Sequence, residues 1–226
     1  MRLAKDHIDV GIFTNNGASM LRFWQEDAGL PFETTLAVGG GVRQQRHEMN
    51  GSVFKLNEAR DPLLDEPPSG YQELIIARAG LKSPQSLTDP DGNRVTLVPN
   101  GYDGVKAIGM RLLVRDESAF NDFYGRVLAL EPAGPNRYRW GDTLLTFAEE
   151  AGRGRAGEMR ANGYRYLTVQ VWDCDAEHAR ALELGATEGR APTTLGSTAR
   201  ISFIRDPDGN WIEISQRASL TGTLPN

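Results

Sequence analysis

The sequence has one cysteine, Cys174, and only three histidines, His7, His47 and His178. A single cysteine excludes an internal disulfide and fits a reducing compartment. Cys174 has no catalytic partner near it in sequence and reads as inert. Long apolar runs are also missing: nothing approaches the ~20 apolar residues that a membrane helix needs. The opening MRLAKDHIDVGIF lacks the apolar core of a signal peptide. There is no basic surplus, since the formal net charge is −5. That argues against nucleic acid or an anionic membrane as the partner, because both need a basic footprint. A soluble, cytoplasmic globular protein is what these absences leave, and its 226 residues, 39% of them hydrophobic, suffice for two ordinary domains.

What is present is a repeat. The pentapeptide DPDGN occurs at Asp89–Asn93, followed by RVTLV, and again at Asp206–Asn210, followed by WIEIS. The apolar positions Ile8, Val10 and Ile12 alternate as in a strand, as do Leu167, Val169 and Val171, and Arg111–Val114 is the counterpart of the first strand in the second half. Asn50-Gly51 before Val53–Leu56 is a hairpin signal. Helical spacing places helices over 18–28, 118–130 and 175–184, the first and third ending at Gly29 and Gly185. Phe23-Trp24 and Phe123-Tyr124 match between the halves and read as core. The triplet Gly39–Gly41 opens no convincing helix and reads as a strand connection rather than a phosphate loop. The spacing predicts two homologous domains, 1–100 and 105–217, joined by a turn-rich linker and followed by a tail, 218–226. Each domain divides into two strand–helix–strand modules, the second having lost its helix between Ala77 and Thr88.

The text YLTVQVWDCDAEHARALELGA followed by ARISFIRDPDGNWIEIS resembles the second module of a glyoxalase-like domain, and IGMRLLVRDESAFNDFYGRVLAL followed by YRWGDTLLTFAEE resembles the first. HIDVGIF through DPDGNRVTLV is a divergent further copy. The chain thus resembles the vicinal oxygen chelate superfamily of glyoxalases, extradiol dioxygenases and bleomycin-resistance proteins. The resemblance implies an α+β fold of two glyoxalase-like domains, with paired βαβββ modules forming open, cup-shaped mixed β-sheets. It implies a small-molecule partner, and one divalent metal ion (Fe, Mn, Ni or Zn) held by residues at the start of the first strand and on the last strand of each of two paired modules. Fold alone does not decide chemistry.

Carried over onto this sequence, those places hold His7 and Lys55 in module one, Glu73 and Thr96 in module two, the Ala107–Gly109 strand and Thr146 in module three, and Tyr166 and Glu213 in module four. If each domain closes its own cup, one cup holds His7, Lys55 and Thr96 and the other Thr146, Tyr166 and Glu213. If module one instead faces module four, one cup gathers His7, Lys55, Tyr166 and Glu213 and stays live, while the other, with Thr96, Thr146 and Glu73, becomes structural. The second arrangement concentrates the ligand-type residues and is the expected one. With a two-residue turn at Asn50-Gly51, His47 stands opposite Phe54 and Arg46 opposite Lys55; a bulged turn reverses the faces. Should His47 point inward, His7, His47 and Glu213 form a two-histidine, one-carboxylate set suited to Fe(II) and similar ions, leaving positions for a chelating substrate.

The expectation is therefore a metal-dependent glyoxalase- or dioxygenase-type enzyme, with isomerase, lyase and ring-cleaving oxygenase chemistry all open, acting on a small oxygen-bearing organic substrate, aromatic ones included. Its metal ligands are His7, His47 and Glu213, its catalytic residues Tyr166 and Lys55, and its substrate contacts Arg46, Lys55 and Tyr166. The protein works as a monomer or homodimer. The rival from another class is a metal-free small-molecule binding protein of the bleomycin-resistance type, and a metal-free enzyme is a third reading.

Overall fold

A computed structural model describes residues 1–222 and 224. Module one comprises β1 (Asp9–Thr14), α1 (Gly17–Arg22), β2 (Phe32–Gly39), β3 (Val42–Met49) and β4 (Ser52–Ala59). Module two has β5 (Tyr71–Arg78), β6 (Gln85–Thr88) and β7 (Arg94–Pro99), with no helix between its first two strands. Module three has β8 (Ile108–Val114), α2 (Glu117–Asp122), β9 (Glu131–Gly134), β10 (Arg137–Trp140) and β11 (Thr143–Glu149). Module four has β12 (Gly163–Gln170), α3 (Cys174–Glu183), β13 (Thr187–Leu195), β14 (Ala199–Arg205) and β15 (Trp211–Arg217). In the segment expected as a tail, α4 (Ala218–Thr221) is a single helical turn, and residues 223, 225 and 226 lie outside the described residues. No helix among the described residues is long and apolar enough to cross a membrane.

Local sequence explains the elements. The helix expected over 18–28 is α-helical only to Arg22 and continues as a π turn over Phe23–Asp27; the helix expected over 118–130 does the same at Phe123–Val127. In each, an i→i+5 bond closes the turn, from Ala28 N–H to Phe23 O and from Leu128 N–H to Phe123 O, both 2.9 Å. The wider turn sets the two adjacent aromatic residues of each helix into the core together, with Trp24 and Tyr124 fully buried. Asn50 (φ 52°) and Gly51 (φ 86°) form a two-residue hairpin turn of the primed kind. Both DPDGN turns are built alike: Asp89 Oδ1 accepts the N–H groups of Asp91 and Asn93, and Asp206 Oδ1 accepts those of Asp208 and Asn210. Gly92 and Gly209 take the same left-handed conformation.

The two sheets cut across the repeat. An eight-stranded sheet runs β13-β14-β15-β12-β1-β4-β3-β2, and a seven-stranded sheet runs β6-β7-β5-β8-β11-β10-β9. β1 pairs antiparallel with β12, and β5 with β8. Module one therefore shares a sheet with module four, and module two with module three, so each half of the repeat contributes one module to each sheet. Of the two arrangements left open by the sequence, this is the swapped one.

Alternation along the first strands explains the layering. Ile8, Val10, Ile12, Leu74, Ile76, Met110, Leu112, Leu167 and Val169 belong to one continuous core that also takes in residues of α1, α2 and α3. The intervening residues face away from that core. On the first sheet they include Phe13 and Tyr166, clustered with Phe203 and Ile201; on the second they include Ile75 and Ala77, clustered with Val98 and Leu144.

Tyr166 lies across Gly11, its register partner on β1. A Cβ at Gly11 would penetrate the Tyr166 ring. Gly11→Ala should therefore destabilise the protein by about 1–3 kcal/mol through overpacking. Part of that loss should return in the double variant with Tyr166→Ala, because the two sites share one contact. Equilibrium denaturation of the four proteins measures this; strictly additive effects would contradict the β1–β12 contact.

Candidate functional site

The first cup is floored by β1, β4, β12 and β15. Parallel pairing sets Gly11 level with Lys55 and Thr168 level with Glu213, and antiparallel pairing sets Asp9 level with Thr168. Asp9, Lys55, Thr168 and Glu213 consequently converge. Lys55 Nζ, 2% exposed as a residue, donates to Thr168 Oγ1 at 2.6 Å and to Glu213 Oε2 at 2.9 Å, and lies 3.9 Å from Asp9 Oδ2. Thr168 donates in turn to Glu213 Oε2. Asp9 is further held by the Val53 N–H (2.9 Å) and by Lys5 Nζ (3.2 Å). A buried ammonium between carboxylates is stable only with such partners, since removing one leaves an uncompensated charge.

Above this floor, Asn57 Nδ2 (3.2 Å) and Gln44 Nε2 (3.4 Å) donate to the Tyr166 hydroxyl. Burial, reinforced by the charge of Glu213, drives the Tyr166 phenol far above its usual pKa, so it stays protonated. It can bind through hydrogen bonds but cannot serve as a base near neutral pH. Lys55 Nζ stands 5.4 Å from the ring centroid. Two connecting segments cover the cup. Leu63, after β4, and Met159, before β12, pack against the Phe13, Tyr166 and Phe203 cluster. Arg165 ties both segments down, with Nη1 donating to Pro67 O (2.9 Å) and Nε to Ala161 O (3.0 Å).

The structure brings together four of the expected residues, Arg46, Lys55, Tyr166 and Glu213, and leaves two outside. His7 precedes β1, and its Nδ1 lies 2.7 Å from Asp142 Oδ2, in the turn between β10 and β11 of the other sheet. It packs on Gly51 rather than entering the cup: a Cβ there would come 2.5 Å from His7 Nε2. The residue of β1 that enters the cup is Asp9, one pleat further on. His47 faces the opposite side of β3. The two-residue turn pairs it with Phe54 and pairs Arg46 with Lys55, so the helix-covered face receives the imidazole. There His47 is fully buried between Phe32 and Phe54, with Nε2 3.3 Å from Gln25 Nε2. The proposed set of His7, His47 and Glu213 is therefore not assembled.

The second cup holds the same four places. Glu73 on β5 is level with Arg111 on β8, and Thr96 and Thr146 come from the last strands. Glu73 accepts from Thr96 Oγ1 and from Arg111 Nη1, both at 2.6 Å. Thr146 Oγ1 is buried without a hydrogen-bond partner among the described residues. This cup, expected to be merely structural, contains an open cavity of about 480 Å³ lined by Glu73, Thr96, Arg111 and Thr146 on one side and by Ile75, Val98, Val105 and Leu144 on another. Arg137 and Asp103 form a bidentate pair at its rim (2.8 and 2.9 Å), which holds the Asp103 carboxyl below the usual range.

Sequence reasoning missed Asp9, Thr168 and Arg111. Asp9 and Thr168 each lie two residues beyond the residue carried over, His7 and Tyr166, on the same strand face, and Arg111 lies beyond the Ala107–Gly109 stretch, which offers no ligand. The period of two was legible; the level at which a first strand meets its neighbours was not.

Neither quartet fits the divalent metal expected from the resemblance. A lysine ammonium stands in the first quartet within bonding distance of Glu213, and a guanidinium that cannot lose its proton neutralises Glu73 in the second. Asp9, the other carboxylate of the first quartet, is held by Lys5 Nζ and the Val53 N–H, and the remaining donors, Thr168, Thr96 and Thr146, are neutral hydroxyls, poor substitutes for carboxylate, imidazole or thiolate. Among the described residues, no three His, Cys, Asp or Glu side chains are grouped to hold a metal ion.

Residues 108–214 match the model of the Glyoxalase/Bleomycin resistance protein/Dioxygenase superfamily. That span covers modules three and four, which lie in different sheets, and so supplies half of each cup. Among solved structures, glyoxalase I of Zea mays is similar over 95% of this chain and 92% of its own, at 15% identity and a TM-score of 0.71. A Bacillus subtilis protein assigned as a dioxygenase is similar over 96% and 86%, at 14% identity and a TM-score of 0.71. At these identities the likeness is one of fold. No curated protein sequence matches the chain.

His47 generates a prediction about stability. Burial lowers its pKa from the ordinary 6.5 to about 4, so the folded protein keeps it neutral. The unfolded chain takes up that proton first as pH falls; the stability linked to His47 is complete above pH 6.5 and is lost towards pH 4. Asp206, pushed up to about 6 by burial, acts in the opposite sense over much of that window. The comparison is therefore variant against parent at each pH. His47→Gln should improve relative to the parent by about 3 kcal/mol between pH 8 and pH 4, read from denaturant midpoints; a pH-independent difference would contradict the buried neutral imidazole.

Proposed function

Residues 108–214 match the glyoxalase/bleomycin resistance protein/dioxygenase superfamily, and taking the first half as a divergent copy of that unit we propose that the chain is a metal-independent small-molecule binding protein whose ligand enters the second cup. One observation carries this: a basic side chain stands at the floor of each cup, Lys55 against Glu213 and Arg111 against Glu73, where relatives are expected to hold a metal. The carboxylates are already neutralised, and a divalent ion would have to displace a bonded cation.

The cavity supports the choice of cup. Its volume of about 480 Å³ suits a small organic molecule. Its charges cancel in pairs, Glu73 with Arg111 and Asp103 with Arg137, so the ligand is neutral overall. Its apolar body lies against Ile75, Val98 and Leu144, and a polar group meets the unpartnered Thr146 hydroxyl and the N–H groups of Arg111 not given to Glu73. In the first cup, Lys55 and Tyr166, expected as catalytic groups, serve instead as an ion pair and its protonated cover.

Two measurements test this. Protein purified after growth with iron, manganese, nickel and zinc should carry no stoichiometric metal, and EDTA should leave Tm unchanged. A neutral aromatic probe such as 1-naphthol should bind saturably and lose binding in Leu144→Trp, which fills the cavity. Stoichiometric metal whose removal lowers Tm would overturn the proposal, as would probe binding unaffected by Leu144→Trp. The converse substitution, Lys55→Glu, removes the built-in cation and leaves its carboxylates facing one another. It should cost about 3–5 kcal/mol without metal and should recover stability on adding Zn²⁺ or Mn²⁺.

A further inference from the structure

We infer that the joint between the two sheets holds a further binding site, for a small zwitterion of the free amino acid class, in a cavity apart from both cups. The joint is built from a short repeat. Gly70-Tyr71-Gln72 stands at the start of β5 and Gly163-Tyr164-Arg165 at the start of β12. Each strand bulges there. Tyr71 and Glu73 face consecutive residues of β8, and Tyr164 and Tyr166 face consecutive residues of β1, so Gln72 and Arg165 are the extra residues. A bulge re-aims its extra side chain out of the strand's alternation. The two tyrosines cross over. The Tyr71 hydroxyl donates to Trp211 O (3.0 Å) and the Tyr164 hydroxyl to Arg94 O (2.9 Å), each acceptor being the residue that follows a DPDGN turn.

Segment 156–157 packs against the second DPDGN turn. The Ala156 N–H donates to Asp208 O (2.9 Å), Trp211 Nε1 donates to Gly157 O (2.9 Å), and Arg205 Nη2 donates to Ala156 O and Gly157 O. Beside the first turn lies a cavity of about 390 Å³ instead, lined by both bulge residues and by Glu66, Asp91, Arg94 and Asn162. Arg165 is 1% exposed. Its Nε and Nη1 donate to the carbonyls of Ala161, Asn162 and Pro67, and Nη2 bonds nothing among the described residues. Carbonyls carry no formal charge, so this buried guanidinium is held without a counter-ion, and burial lowers its pKa. Glu66 acts on it only through space. Asp91 accepts from two neutral donors, the Thr14 hydroxyl and the Asn16 amide. Two cations, Arg94 and Arg165, and two carboxylates, Glu66 and Asp91, therefore line one cavity, and none of the four forms an ion pair among the described residues. A ligand that answers both signs must itself carry both. Its carboxylate meets the forked N–H groups of Arg165 and Arg94, and its ammonium group meets Glu66.

This cavity shares no lining residue with the second cup and does not depend on the proposed function. The test screens the full-length protein by thermal unfolding with each of the common free α-amino acids. The strongest binder is then titrated by calorimetry beside its N-acetyl derivative, which lacks the ammonium group, and its amide, which lacks the carboxylate. At least one amino acid should raise Tm saturably, and each derivative should bind weaker by about tenfold or more. Glu66→Gln and Arg94→Gln should each weaken the amino acid to a similar degree. Neither side chain makes a hydrogen bond or ion pair among the described residues, so both variants should fold like the parent and keep its Tm without ligand. Arg165 is left in place because it also anchors the covering segments. No saturable response to any amino acid overturns the proposal, as do derivatives that bind as tightly as the amino acid, or an affinity unchanged in either variant. Naphthol binding measured on the same proteins reports the second cup separately, so failure at one site is distinguishable from failure at the other.

Discussion

The antiparallel contact between β1 and β12 is the constraint on which the rest depends. It sets Asp9 level with Thr168 and lays Tyr166 over Gly11. It also carries Lys55, on the neighbour of β1, to Glu213, on the neighbour of β12, across 158 residues of chain. Without that register the first cup has no floor, and the buried ammonium and its carboxylates would face nothing. The pairing of β5 with β8 repeats the device on a smaller scale, setting Glu73 against Arg111.

The two cups share a plan and differ in closure. Each has an ion pair and at least one threonine at its floor. In the first, segments around Leu63 and Met159 fold over an aromatic cluster. In the second, the space stays open and its charges cancel in pairs. One duplicated architecture thus presents a covered ion pair on one sheet and an open, net-neutral cavity on the other. The difference between Glu213 and Thr96 after the two DPDGN turns belongs to this divergence: Glu213 accepts from Lys55, whereas Thr96 donates to Glu73, the carboxylate of its own cup.

Much of the site was legible residue by residue. Lys55 and Tyr166 were placed by the resemblance, Arg46 only on condition of a two-residue turn at Asn50-Gly51, and all three share the first cup with Glu213. The histidines misled because side-chain chemistry was weighed ahead of level. His7 is a good ligand type on the correct face parity, but the strand begins only at Asp9. His47 is one residue from Arg46, and in a strand one residue is the difference between the cup and the core.

Local order was legible in the sequence: the repeat, the missing helix of module two, the aromatic pairs of the first helices and the Asn50-Gly51 turn, though not which of two registers that turn gives β3 with β4. All of these rest on contacts among residues close along the chain, where periodicity and turn chemistry act directly. Tertiary structure alone decided which modules share a sheet, which residue of each first strand enters a cup, and which cup stays open. Those outcomes depend on register between strands far apart along the chain, 38 residues from Glu73 to Arg111 and 158 from Lys55 to Glu213, and on how connecting segments pack over a concave face. Burial of one continuous core shared by both sheets sets that register, and no local pattern encodes it.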